Sequence, residues 1–258
     1  MKRWIAALLC LCCLAALLGC GKKENRVPEL EAARESGQLK IGVTECPPFC
    51  RKEADGSWSG FDVELARLVC RELELELEPV FVELPWDTRE EALASGQADC
   101  LWSCLTARSD LTGTMDFSLT YLASRPALVV KTGEGISAQG AVVAVEVGSA
   151  GESAAAVCLS EAVTYPVASQ LEALEAVLAG KVEGAVVDYL VARTAADENP
   201  LLTVAENQSL GTEELAVGLR KNSDLTPAVN QVLENLQADG TLAALAEQYG
   251  LTDSLIVG

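Results

Sequence analysis

"LAGKVEGAVVD" (Leu178–Asp188) decides the fold, because it has a counterpart in "LASGQAD" (Leu93–Asp99). Each runs from the end of a helical pattern through a glycine, Gly180 or Gly96, toward a strand. Upstream of the first, "SQLEALEAVLAG" puts Leu171, Leu174, Val177 and Leu178 on one face at helical spacing. Upstream of the second, "DTREEALASG" reads as a helix ended by Gly96. Both half-chains follow the order strand, helix, strand, helix, strand. That predicts two α/β lobes of similar build, with largely parallel sheets, rather than a solenoid.

The remaining elements fill this frame. "LKIGV" (39–43) predicts a strand, and "GFDVELARLVCREL" (60–73) a helix with Phe61, Leu65, Leu68, Val69 and Leu73 on one face. "ELELELEPVFVEL" (72–84) has period two and predicts a strand by Val80, since Pro79 disfavours helix before it. Further strands are expected at "DCLW", "ALVVK", "AVVAVEV", "EGAVVD" and "ELAVGLR". "TPAVNQVLENLQADG" predicts a helix with Thr226 as cap and Pro227 at its first position. In open α/β sheets ligands sit at the carboxyl ends of strands.

The chain of 258 residues is 50% hydrophobic with a formal net charge of −19. Such acidity repels phosphate backbones, so nucleic acid is not an expected partner. There is no histidine, which excludes Ser-His-Asp and Cys-His nucleophilic sites and His-ligated metals. Residues 1–19 have the basic start, apolar run and small-residue end of a secretory signal. "LLGC" (17–20) resembles a bacterial lipobox, which implies cleavage before Cys20 and lipid on its thiol. An uncleaved anchor or ordinary cleavage nearby is the alternative. Residues 20–37 are polar and charged and read as a tether with a short helix.

Six cysteines remain beyond Cys20, an even number in an exported chain. Cys46/Cys50 and Cys100/Cys104 invite a zinc site, but zinc knuckles are spaced more tightly. The expectation is at least one disulfide among these four, and no metal.

"LKIGV…PPF…GSWSGFDVELARLVCREL…LPWDTREEALASGQAD…MDFSLTY…SRPALVV…VAVEVGSAGES…LEAVLAGKVEGAVVD…ELAVGLRKNSDL…LENLQADGTLAALAEQYG" resembles the family 3 solute-binding proteins, the polar-amino-acid receptors of ABC importers. The resemblance covers about residues 38–250. It implies a type II periplasmic-binding-protein-like fold: two lobes joined by two crossing segments, with ligand held in the cleft. Lobe one is expected over 38–124 and 215–258, and lobe two over 125–214. The crossings are expected near Ser124–Ala127 and Thr212–Glu214. The resemblance further implies a monomer, anchored by lipid on the outer face of the cell membrane, that passes an amino acid to an ABC permease. No cofactor and no catalytic residue is expected.

A zwitterion needs a cation or a helix N-terminus for its carboxylate, an anion for its ammonium, and an apolar wall. "VGSAGES" follows a strand and opens a helix, so the amides at Ser149 and Ala150 suit a carboxylate; a plain capped helix is the alternative. Asp188 ends an apolar strand and falls on the family's ammonium position, or it merely caps the next helix. Trp86 falls on a pocket-wall position, or in the core. Phe49 is retained from the family's aromatic-Pro-Phe pattern, in which Cys46 replaces the aromatic. Ser103, Cys104 and Thr106 are expected to face the pocket. The family arginine position, counted back from Phe117, is Leu111. Arg108 is therefore the candidate anion holder, against a solvated pair with Asp110; Arg125 is a weaker one. A dehydratase of small cyclic acids on the same fold is the enzymatic alternative, with Asp188 or Glu45 as acid or base. A sensor ectodomain is a third.

Overall fold

Helix α1 (Glu29–Ser36) precedes strand β1 (Gln38–Val43) in the computed structural model, which describes residues 28–73, 78–137, 139–206 and 209–256. The signal and the lipidation expected at Cys20 lie outside the described residues. The short helix expected within residues 20–37 is present and is held against the rest of the chain. Glu29 pairs with Arg220, its backbone N–H donates to Asp224 at 2.8 Å, and Ala33 is buried. Helix α1 is thus docked on the first lobe.

A short hairpin, β2 (Arg51–Lys52) and β3 (Trp58–Ser59), leads into α2 (Phe61–Glu72). At the turn between them only glycine fits: Gly60 has φ +121, and a Cβ there would lie 2.2 Å from the Phe49 carbonyl oxygen. The apolar stripe of α2 buries Phe61, Leu65 and Val69. Each such side chain contributes about 1.5–3 kcal/mol on burial. Then follow β4 (Glu78–Glu83), α3 (Arg89–Ser95), β5 (Cys100–Leu101), β6 (Met115–Phe117) and β7 (Leu122–Ser124).

The second lobe holds β8 (Pro126–Lys131), β9 (Val142–Glu146), α4 (Ala150–Cys158), β10 (Val163–Val167), α5 (Gln170–Leu178), β11 (Gly184–Asp188), α6 (Tyr189–Glu198) and β12 (Leu202–Val204). The chain returns through β13 (Glu213–Leu215) and β14 (Gly218–Arg220) to α7 (Leu225–Ala238) and α8 (Thr241–Gln248). The run "ELAVGLR" is therefore two strands in different sheets. Helix α7 starts at Leu225, earlier than the Thr-Pro signal suggests, and Pro227 still sits in the first turn, where no intrahelical N–H is needed.

Two five-stranded sheets result, ordered β4-β1-β5-β14-β6 and β10-β9-β11-β8-β12. Each is parallel on one side and antiparallel on the other, so both are mixed rather than largely parallel. The antiparallel strands are those that adjoin the passages between lobes, where the chain reverses direction. Between the sheets, β7 and β13 form an antiparallel ribbon with Ser124 opposite Glu213. The C-terminal segment packs back on lobe one, with Tyr249 edge-on to Phe61 at 6.0 Å and Ile256 N–H bonded to the Tyr121 carbonyl.

The expected disulfides are absent. Cys46, Cys50, Cys70, Cys100, Cys104 and Cys158 are all thiols. The first pair lies across a tight turn closed by backbone bonds between Cys46 and Cys50. Their sulfurs are used as hydrogen-bonding groups instead: Cys50 Sγ donates to the Trp102 carbonyl, and Cys46 Sγ lies 3.2 Å from Ser103 Oγ. Bonds with the Cys104 and Cys50 thiols hold Cys46 well below the usual thiol range, while burial pushes the other two up.

Candidate functional site

The carboxyl ends of β9 and β11 face lobe one across a cleft, and helix α4 starts at its edge. Ser149 caps that helix by accepting from Glu152 N–H at 3.0 Å, and Glu152 accepts from Gly148 N–H at 2.8 Å. These two bonds fix the first turn, whose leading N–H groups have no partner within the helix. Gly151 lets that turn lie close to the sheet, since a Cβ would stand 2.8 Å from the Val186 carbonyl oxygen. Ser149 and Ala150 both line the cleft.

Asp188 caps a helix and also lines the cleft. Its Oδ1 caps α6, accepting from Leu190 N–H at 2.7 Å and Val191 N–H at 3.3 Å. Its Oδ2 is buried without a hydrogen-bond partner, and the residue lines the cleft. Burial pushes the carboxyl up to about 6. Glu213 joins it from the crossing ribbon, accepting from Thr106 Oγ1 at 3.1 Å. Burial, and then the charge of Asp188, push Glu213 up to about 8.

Arg108 pairs with Asp110 and also lines the cleft. Its Nε and Nη2 grip Asp110 at 3.1 and 2.6 Å, and its Nη1 donates to the Gly148 carbonyl of lobe two at 3.3 Å. The guanidinium lines the cleft beside the start of α4, and Leu111 lines it too. Cys104 and Thr106 line the cleft as expected. Cys104 has φ +51, held there by its N–H donating to Asp62 Oδ2 at 2.7 Å.

Two expected residues lie elsewhere. Phe49 is fully buried in the lobe-one core and does not line the cleft. Ser103 lies behind Cys104, with its hydroxyl tied to both the N–H and the carbonyl of Thr44. Arg125 stacks on Tyr189 at 4.1 Å and pairs with Glu206 outside the cleft, and Glu45 accepts from Lys52 N–H at the surface.

Besides Glu213, sequence reasoning passed over three polar residues of the lining: Arg89, Glu146 and Gln170. Arg89 stacks on Trp86 at 4.8 Å, donates to the Trp86 carbonyl at 2.6 Å, and reaches lobe two at the Gly148 carbonyl, 3.0 Å away. Trp86 is thus both buried and part of the wall. Glu146 ends β9, and burial pushes its carboxyl up to about 8 despite the nearby Arg89. Gln170 accepts from Asp188 N–H at 2.8 Å and hydrogen-bonds Glu146 as well. A lone carboxyl in the apolar strand "AVVAVEV" was the available signal for Glu146. Among the described residues no group of His, Cys, Asp and Glu is placed to hold a metal ion.

A cleft lined by two guanidiniums, a helix start and three carboxyls suits a small dipolar solute. Residues 39–252 match the bacterial extracellular solute-binding proteins, family 3. The chain belongs to that family. Among relatives of this solute-binding protein, the arginine-binding extracellular protein ArtP of Bacillus subtilis is 26% identical, over 96% of this chain and 98% of that one. The solved solute receptor for L-cysteine of Neisseria gonorrhoeae is 25% identical, with a TM-score of 0.80 over 85% of this chain and 92% of that one. The ancestral amino acid-binding protein described as a precursor of cyclohexadienyl dehydratase is 28% identical, with a TM-score of 0.78 over 86% and 99%. The solute-binding protein has the two-lobe type II fold of these relatives, and no helix among its described residues is long and apolar enough to cross a membrane.

Proposed function

We propose that the chain is a lipid-anchored extracytoplasmic receptor that closes its lobes on one amino acid and delivers it to an ABC importer. The observation that carries the reading is the pairing of Arg108 and the α4 start with Asp188 across one cleft. The ligand carboxylate would meet Arg108 and the amides of Ala150 and Gly151, since the Ser149 N–H already donates to the Glu146 carbonyl at 3.2 Å. The ammonium would meet Asp188 Oδ2 and Glu213. Arg108 and Asp188 come from different lobes, so the site is complete only when the lobes meet.

A thermal-shift screen against amino acids identifies the ligand, because ligand bound to the native state raises its stability. Calorimetry of Arg108→Ala on that ligand is then expected to show affinity weaker by about ten- to a hundredfold, the effect of one charge-assisted contact. Wild-type affinity would leave the helix start to carry the carboxylate alone. Arg108→Lys is expected to recover only part, since an ammonium lacks the planar fork.

The anchor is a separate expectation. Replacing Cys20 with Ala should release the protein from membranes or leave it unprocessed. Normal processing with full membrane retention would rule out lipid at that thiol.

A dehydratase remains as a second reading because one observation favours it: Glu146 and Glu213, pushed up to about 8 by burial, hold protons near neutrality. Such carboxyls serve as general acids. Incubation with cyclohexadienyl carboxylic acids decides it: aromatic product formed at catalytic turnover would replace the receptor reading.

A further inference from the structure

Beyond the groups that suit an amino-acid head, the cleft holds a second pair of ionisable side chains. Arg89 from lobe one and Glu146 from lobe two both line it. They are 3% and 2% exposed, and they form no ion pair with each other. Arg89 Nε and Glu146 Oε1 are each buried with no hydrogen-bond partner. A buried donor and a buried acceptor left unmade are costly, and native interiors rarely keep them so. The other atoms of Arg89 are committed, with Nη1 on the Trp86 carbonyl and Nη2 on that of Gly148.

We propose that Arg89 and Glu146 form the side-chain subsite, and that it takes an uncharged group offering an acceptor and a donor side by side: a carboxamide or ureido end. The carbonyl oxygen would accept from Arg89 Nε, and the NH2 would donate to Glu146 Oε1. This rests on the amino-acid reading of the cleft. It also follows from charge. Arg108 and Asp188 are matched by the two charges of the ligand head, while the nearby Arg89 and an NH2 donating to Oε1 both favour the charged form of Glu146, which then balances the guanidinium. A cationic side chain would leave Arg89 Nε without an acceptor and set a second cation beside the guanidinium. A carboxylate side chain would bring a like charge to Glu146 in a site shielded from water. An alkyl side chain would leave both polar atoms unmade.

The test is selectivity rather than affinity alone. The mature wild-type protein is titrated calorimetrically with glutamine, asparagine, citrulline, glutamate, arginine and alanine at neutral pH. One of the first three is expected to bind at least about tenfold more tightly than the others, the effect of a hydrogen bond made against one left unmade. In Glu146→Gln the Arg89 charge is uncompensated and a donor replaces an acceptor, so the glutamine-to-glutamate preference is expected to fall by about tenfold or to reverse. In Arg89→Met the gain should go to arginine instead. Tightest wild-type binding of arginine, glutamate or alanine would overturn the proposal. So would a glutamine-to-glutamate ratio unchanged by Glu146→Gln, which is the result a merely structural glutamate gives. If no amino acid binds wild type at all, the receptor reading itself fails, a distinct result.

Discussion

Asp188→Asn is expected to weaken ligand binding by about ten- to a hundredfold while leaving the unliganded protein as stable as wild type, or slightly more so. The reason is the division of labour between the two carboxyl oxygens. Oδ1 caps α6 at Leu190 and Val191, and asparagine caps as well as aspartate. Oδ2, buried and without a partner, is the atom offered to the ammonium, and in the amide its charge is gone. A charge-assisted contact contributes about 1.5–3 kcal/mol, which sets the expected loss. Asp188→Ala should lose the same binding and also the cap, a further drop of about 1 kcal/mol in folding stability. Calorimetry on the ligand and thermal melts without it separate the two roles. If the asparagine variant binds like wild type, the ammonium sits on Glu213 and Asp188 is a cap only.

That separation was half legible in the sequence. A carboxylate at the end of "EGAVVD" had to be paired, and both partners could be named, but not that each takes one oxygen. Glu146 carried the same signal in "AVVAVEV" and was passed over because no helix follows directly for it to cap. Arg89 looked like surface charge within "DTREEALASG". It turns inward because α3 is short and its first residue stands beside Trp86, at the mouth facing lobe two. Phe49 shows the opposite failure: an aromatic beside a turn suits a wall or a core equally, and only the packing of Gly60 against its carbonyl assigns it. Helices and strands were legible because their periods are local. The antiparallel halves of both sheets were not, because strand direction is set by the β7–β13 ribbon, a contact between segments far apart in the chain.

The largest stability effect is expected at Asp62, beneath the cleft. It is fully buried in the first turn of α2 and accepts from Cys104 N–H at 2.7 Å and from the Tyr121 hydroxyl at 2.8 Å. Burial pushes its carboxyl from 3.8 up to about 7, against the pull of those two donors. A carboxyl whose pKa is higher in the folded than in the unfolded chain takes up a proton on folding between the two values. Stability therefore falls as pH rises through that window and levels off above it. For Asp62 alone the span is worth about 4 kcal/mol. Asp188, Glu146 and Glu213, raised to about 6, 8 and 8, tilt the unliganded protein the same way. Urea unfolding should thus show the unliganded protein more stable near pH 5 than at pH 8, the reverse of ordinary acid denaturation. Asp62→Asn is expected to remove the part of that slope below about pH 7 that Asp62 contributes, and to stabilise the protein at pH 8 by a few kcal/mol at most. The amide oxygen can still accept from Cys104 N–H, and its NH2 can donate to a Tyr121 hydroxyl that has turned to accept. Asp62→Ala leaves both buried donors unmade and should instead destabilise at every pH, by about 2–5 kcal/mol. The slope that survives in Asp62→Asn belongs to the three carboxyls of the cleft, and ligand titrations at the two pH values should show it, because a bound ammonium favours their charged forms; a slope the same as wild type in Asp62→Asn would remove Asp62 from the account.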